Sequence, residues 1–150
     1  QQALDAAWQA RDPSLPYRTS YEALVLASIV EKETGQPQER DKVAAVFVNR
    51  LRRGMLLQSD PTTIYGLGER FDGNLRKRDL KADTDYNTYT RAGLPPTPIA
   101  LPGKASIEAA LKPADVPALY FVARGDGTSE FSNDLASHNR AVSRYQRNGR

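Results

Sequence analysis

From Ala23 to Val30 every residue except Ser28 is apolar, and the segment carries its own helix signals. Thr19-Ser20-Tyr21-Glu22 fits a capping box, with Thr at the N-cap and Glu three residues on. The pattern predicts a helix from there to about Thr34, ended by Gly35 as a left-handed cap. Leu24, Val25, Leu26, Ala27, Ile29 and Val30 cover nearly every face. A helix apolar all round belongs at the centre of a fold, with the other elements packed around it. At eight residues the run is far short of the roughly 20 a membrane span needs.

The flanking segments supply those other elements. Gln1 to Arg11 reads as a short helix closed by Asp12-Pro13. A second long helix spans about Pro37 to Arg53, with Val43, Phe47 and Leu51 at helical spacing, Val46 and Arg50 beside them, and Gly54 as its stop. Ser59-Asp60-Pro61 starts a short helix, with an acid at the cap and Pro at the first position, ending at Gly66. Gly68 to Gly103 is polar, aromatic and rich in Gly and Pro; Tyr86, Tyr89, Leu94 and Ile99 make it an ordered loop. A helix is expected near Ser106 to Leu111, then a strand at Leu119 to Val122. Gly125-Asp126-Gly127 turns that strand into a partner near Ser129 to Ser132. Asn133 is the expected cap of a last helix, about Asp134 to Asn148. The fold class is α+β, mostly helical, with one hairpin, in a single domain of 150 residues.

Composition removes several chemistries. There is no Cys, which excludes disulfides, zinc–cysteine sites, iron–sulfur clusters and cysteine nucleophiles, and one His leaves no histidine cluster for a metal. The net charge of +3 divides unevenly: residues 1–75 carry 9 basic and 10 acidic side chains, residues 76–150 carry 12 and 8. The bias is too small and too scattered to point to nucleic acid. The chain opens on Gln, and Met55 is its sole Met, so it reads as a processed chain or an excised fragment.

The residue that looks chemical stands at the end of the central helix. Glu33 lies three, four and seven residues after Val30, Ile29 and Leu26, on an apolar face and in the last turn. Burial and the helix dipole both favour its protonated form and raise its pKa. A carboxylic acid still protonated near neutrality suits general-acid cleavage of a glycosidic bond. Glu31 competes from another face, beside Leu24, Ala27 and Ser28; either acid could instead face solvent or pair with Arg40 or Lys42. Gln58-Ser59-Asp60-Pro61-Thr62 and Tyr86-Asn87-Thr88-Tyr89 offer the hydroxyls, amides and ring faces that bind sugars. Capping by Asp60 and core packing by the tyrosines are the competing roles. His138 is expected to be structural, hydrogen-bonded near the hairpin, and Arg140, Arg144 and Arg147 to be a solvated stripe.

Ala27-Ser28-Ile29-Val30-Glu31-Lys32-Glu33-Thr34, Glu39-Arg40-Asp41-Lys42-Val43-Ala44, Phe47-Val48-Asn49-Arg50-Leu51, Leu57-Gln58-Ser59-Asp60-Pro61-Thr62, Ile64-Tyr65-Gly66, Tyr86-Asn87-Thr88-Tyr89-Thr90 and Gly93-Leu94-Pro95-Pro96 resemble the MltG (YceG-like) family of endolytic murein transglycosylases. Pro102-Gly103, Tyr120-Phe121-Val122-Ala123 and Ala136-Ser137-His138-Asn139 agree, so the resemblance runs from about Tyr17 onward. It implies a lysozyme-like catalytic domain, an excised piece of a single-pass protein of the bacterial inner membrane. The missing parts would be an N-terminal anchor and a LysM-like module, with this domain facing the periplasm.

The resemblance further implies a lyase cleaving the bond between N-acetylmuramic acid and N-acetylglucosamine in nascent strands, leaving 1,6-anhydro ends, with Glu33 as the single acid and base. Gln58, Ser59, Asp60, Thr62, Tyr65, Tyr86, Asn87 and Tyr89 are the candidate substrate contacts. No cofactor or metal is expected. Peptidoglycan strands are the expected partner, with cell-wall synthesis proteins beside them, no nucleic acid, and membrane contact only through the anchor. Two alternatives stay open: a hydrolytic muramidase with Asp60 as second carboxylate, and a non-catalytic peptidoglycan-binding module.

Overall fold

The computed structural model describes residues 2–148. Helix α1 (Gln2–Gln9) is followed by the central helix α2 (Ser20–Glu33), a 3-10 turn (Pro37–Glu39) and α3 (Arg40–Arg53). Then come α4 (Asp60–Leu67), a 3-10 turn (Gly68–Arg70), α5 (Lys77–Lys81) and α6 (Lys104–Leu111). Strands β1 (Tyr120–Ala123) and β2 (Ser129–Ser132) and helix α7 (Leu135–Asn148) complete the chain. The class is α+β, as the pattern predicts. No helix among the described residues is long and apolar enough to cross a membrane.

Helix α2 is buried where its sequence demands it: Ala23 and every residue from Val25 to Val30 are inaccessible. It packs on α1, α3, α4 and α6, and its side chains join Val43, Phe47, Val48, Leu57, Ala110 and Leu111 in one core. Thr19 caps it by accepting from the Glu22 amide, while Glu22 reaches past the cap to the amide of Arg18. Ser28, the polar residue inside the apolar run, donates to the carbonyl of Val25 at 2.6 Å and accepts from the amide of Ile99 at 3.0 Å. The hydroxyl thus fastens the long irregular segment to the core.

Helix α3 holds the approach to the hairpin. Asn49 donates to the carbonyls of Val116 and Ala118 at 2.9 and 2.8 Å. Strands β1 and β2 pair antiparallel, with Tyr120 opposite Ser132 and Ala123 opposite Ser129, and α7 packs against both.

Five local expectations are corrected. Helix α2 is capped by Thr34 in an extended conformation, and Gly35 does not have a positive φ; Thr34, Gly35 and Gln36 link the helix to the 3-10 turn. Ser59, not Asp60, occupies the N-cap position of α4, and that helix ends at Leu67, one residue later than expected. At the last helix Asp134, not Asn133, accepts from the Ser137 amide at 2.7 Å. The irregular stretch also contains α5, whose entry is closed by Asp79 accepting from the Arg76 amide, a five-residue helix too short to leave a periodic signal.

Candidate active site

Glu31 and Glu33, two positions apart on α2, meet opposite environments. Glu31 Oε1 accepts from the Gly103 amide at 2.8 Å and the Ser106 hydroxyl at 2.9 Å. It therefore caps α6, and those two bonds hold its pKa below the usual carboxylate value. Glu33, the last residue of α2, turns into a cleft of about 470 Å³, a size typical of ligand sites.

Burial lifts the pKa of Glu33 to about 7, with the nearby Asp60 carboxylate adding to the rise. Ser59 opposes both weakly. Its hydroxyl is buried without a hydrogen-bond partner among the described residues. The net result is an acid poised to give up a proton near neutrality.

Around it stand Gln58, Asp60 and Tyr89 from the predicted set. Gln58 has a positive φ of 51°, a costly conformation for a residue with a side chain. It is held by its amide donating to the Thr88 carbonyl at 3.2 Å. The Tyr89 hydroxyl donates to Asp60 at 2.5 Å, and burial together with that carboxylate pushes the tyrosine pKa up.

The remaining predicted contacts do not reach the cleft. Thr62 is inaccessible and pairs its hydroxyl with Thr88 at 2.8 Å. Asn87 is equally buried; its amide nitrogen donates to the carbonyls of Leu80 and Ala82 at 3.0 and 2.6 Å, and its oxygen accepts from the Tyr89 amide at 2.8 Å. Both residues are spent on folding the irregular segment. Tyr65 and Tyr86 lean on each other with ring centroids 4.8 Å apart, outside the cleft lining, and the Tyr86 hydroxyl pairs with Thr97.

Two basic residues of the cleft, Arg50 and His138, were not among the candidates. Arg50 is 7% exposed, donating to the carbonyls of Leu119 and Leu56 at 2.7 and 2.8 Å, with its guanidinium 4.9 Å from the ring of Tyr120. Its signal was available: Val43, Val46 and Phe47 precede it by seven, four and three residues, the same apolar face that singles out Glu33. His138 stacks on Tyr120 at 4.9 Å and lines the cleft. The expectation of a hydrogen bond there is corrected: Nδ1 is buried without a partner among the described residues. Burial first, then the Arg50 charge, lowers its pKa. Val46, Phe47, Leu57, Phe121, Val122 and Val142 provide the apolar walls.

Fold and site together define a mostly helical α+β domain built around one desolvated acid at the mouth of its central helix. Residues 1–144 match the model of the YceG-like family, and the chain belongs to that family. It is 44% identical over 125 residues to the endolytic murein transglycosylase of Bacillus subtilis, covering 83% of this chain and 34% of that protein. It is 35% identical over 132 residues to the endolytic murein transglycosylase of Streptococcus pneumoniae, covering 85% and 24%. The crystal structure of a yceG-like protein from Listeria monocytogenes superposes with a TM-score of 0.73 at 43% identity, over 81% of this chain and 38% of that one. The chain thus spans about a third or less of the length of these curated relatives.

Proposed function

We propose that this chain is the catalytic domain of an endolytic murein transglycosylase, acting on peptidoglycan strands outside the cytoplasmic membrane. The observation that carries the proposal is Glu33, lifted to about pH 7 at the edge of an open cleft. The names of the relatives support the substrate class.

In this mechanism protonated Glu33 donates to the glycosidic oxygen that joins N-acetylmuramic acid to N-acetylglucosamine. The bond from that oxygen to muramic C1 breaks, and positive charge develops on the ring. Glu33, now a carboxylate, accepts the proton of the muramic C6 hydroxyl as its oxygen bonds to C1. The proton count closes on Glu33, no water is consumed, and the product end is 1,6-anhydro-N-acetylmuramic acid. Apolar walls from α3 and the hairpin suit sugar ring faces, while Gln58 offers an amide for directed hydrogen bonds.

Digestion of purified peptidoglycan, followed by mass analysis of the released ends, tests this. Anhydro ends, lighter by one water than reducing ends, are the expected product, and Glu33→Gln is expected to abolish them. Reducing ends would instead select a hydrolytic muramidase using Asp60 and water. Binding without turnover would select a non-catalytic module.

A further inference from the structure

The cleavage proposed above needs one acid, yet two carboxylates line the cleft. Asp60 opens α4 without capping it, since Ser59 holds that position. Its hydrogen bond among the described residues comes from the Tyr89 hydroxyl, reaching 29 positions along the chain. The cleft's buried cation, Arg50, is turned to the carbonyls of Leu119 and Leu56 instead. An acid fixed in a cleft with no cation on it leaves its carboxylate open to whatever enters the cleft.

We propose that Asp60 is a second acting carboxylate of the cleft, seated by Tyr89 so that its charge serves Glu33 and the cationic transition state rather than attacking the sugar. This rests on the glycan-cleaving function proposed above. The titratable and charged groups around Glu33 are Asp60 from α4, Tyr89 from the irregular segment, Arg50 from α3 and His138 from α7. Of these, Asp60 is the charge that acts on Glu33. A like charge close by keeps the proton on the general acid until the substrate arrives. Once the glycosidic bond stretches, the same charge faces a ring that has turned positive, so it stabilises the transition state more than the ground state. Two carboxylates thus divide the work by environment: the desolvated one holds the proton, and the exposed one is fixed by the Tyr89 hydroxyl at the edge of the same cleft. Tyr89 keeps the second from rotating away.

The test is a pH–rate profile of wild type, Asp60→Asn and Tyr89→Phe on purified peptidoglycan, with product ends read by mass. Asp60→Asn is expected to move the alkaline limb to lower pH and to cut the maximal rate by about tenfold or more, with the ends still anhydro. Tyr89→Phe is expected to shift the same limb by less. An alkaline limb unchanged in Asp60→Asn overturns the proposal, and so do reducing ends from wild type that vanish in that variant. If Asp60→Asn turns over too slowly to profile, a carbon-13 NMR titration of the Glu33 carboxyl replaces the rates. A Glu33 pKa that does not fall in the variant then overturns the proposal. Wild type that makes no cleaved product defeats the enzymatic function itself, while the titration still decides whether Asp60 acts on Glu33.

Discussion

Glu31 and Glu33 stand two residues apart on one helix, and one caps a neighbouring helix while the other opens into the cleft. Their side chains leave the helix about 200° apart. The two acids therefore meet opposite environments, and their pKa values move in opposite directions.

This division predicts a sharp contrast between conservative variants. Glu33→Gln is expected to lose cleavage of purified peptidoglycan by about a thousandfold or more, with its circular dichroism spectrum unchanged. Glu31→Gln keeps an oxygen that can still accept from Gly103 and Ser106, so it is expected to retain most activity. Glu31→Ala loses the cap of α6 and is expected to cost about 1 kcal/mol in denaturant unfolding. An inactive Glu31→Gln beside an active Glu33→Gln would reverse the assignment.

The raised pKa of Glu33 also makes a stability prediction with a defined sign. The folded state binds this proton more tightly than the unfolded state does. Its favourable contribution is complete below the unfolded value of about 4.3 and is lost as pH rises through about 7. Glu33→Gln is therefore expected to match wild type at acid pH and to exceed it by about 3–4 kcal/mol above neutrality. Urea unfolding of both proteins across that range checks it. A variant less stable than wild type at pH 8 would mean that Glu33 is held as a charged group.

Asn87 tests the line between folding and binding. Asn87→Ala leaves the carbonyls of Leu80 and Ala82 and the amide of Tyr89 without their partner in a buried site. A loss of about 2–4 kcal/mol is expected. At temperatures where the variant stays folded, its KM is expected to change little. A large rise in KM without loss of stability would return Asn87 to the substrate contacts.

Gly66 probes the same segment from α4. A Cβ at this position would collide with the Thr84 hydroxyl and press on Tyr86 Cβ at 3.1 Å. Gly66→Ala is expected to lower stability by about 1–3 kcal/mol and to disturb the ring contact between Tyr65 and Tyr86. A thermal melt, with the near-ultraviolet dichroism of the tyrosines, reads both effects.

The central helix, its acid and the flanking helices were legible in the linear chain because each is written in local periodicity. Glu33 follows Leu26, Ile29 and Val30 on one face, and such a face is buried in any fold that uses the helix. Arg50 was written in the same way, after Val43, Val46 and Phe47, but a cation on a core face suggests no reaction by itself. Glu31 and Glu33 could be separated by face, though not by partner: Gly103 and Ser106 lie more than seventy residues on.

The cleft's other members were decided only by tertiary structure. Gln58, Asp60 and Tyr89 reach it while Thr62 and Asn87 do not, although all five come from the same two polar stretches. The choice depends on which side chains the backbone of the irregular segment needs for its own hydrogen bonds. A buried amide or carbonyl must find a partner wherever the chain passes, and Thr62 and Asn87 happen to stand where those groups are. His138 joins the site for a related reason: the pairing of β1 with β2 sets Tyr120 beneath it. Local pattern states which faces turn inward, but only the closed chain determines which polar side chains remain free for a substrate after the backbone has taken its share.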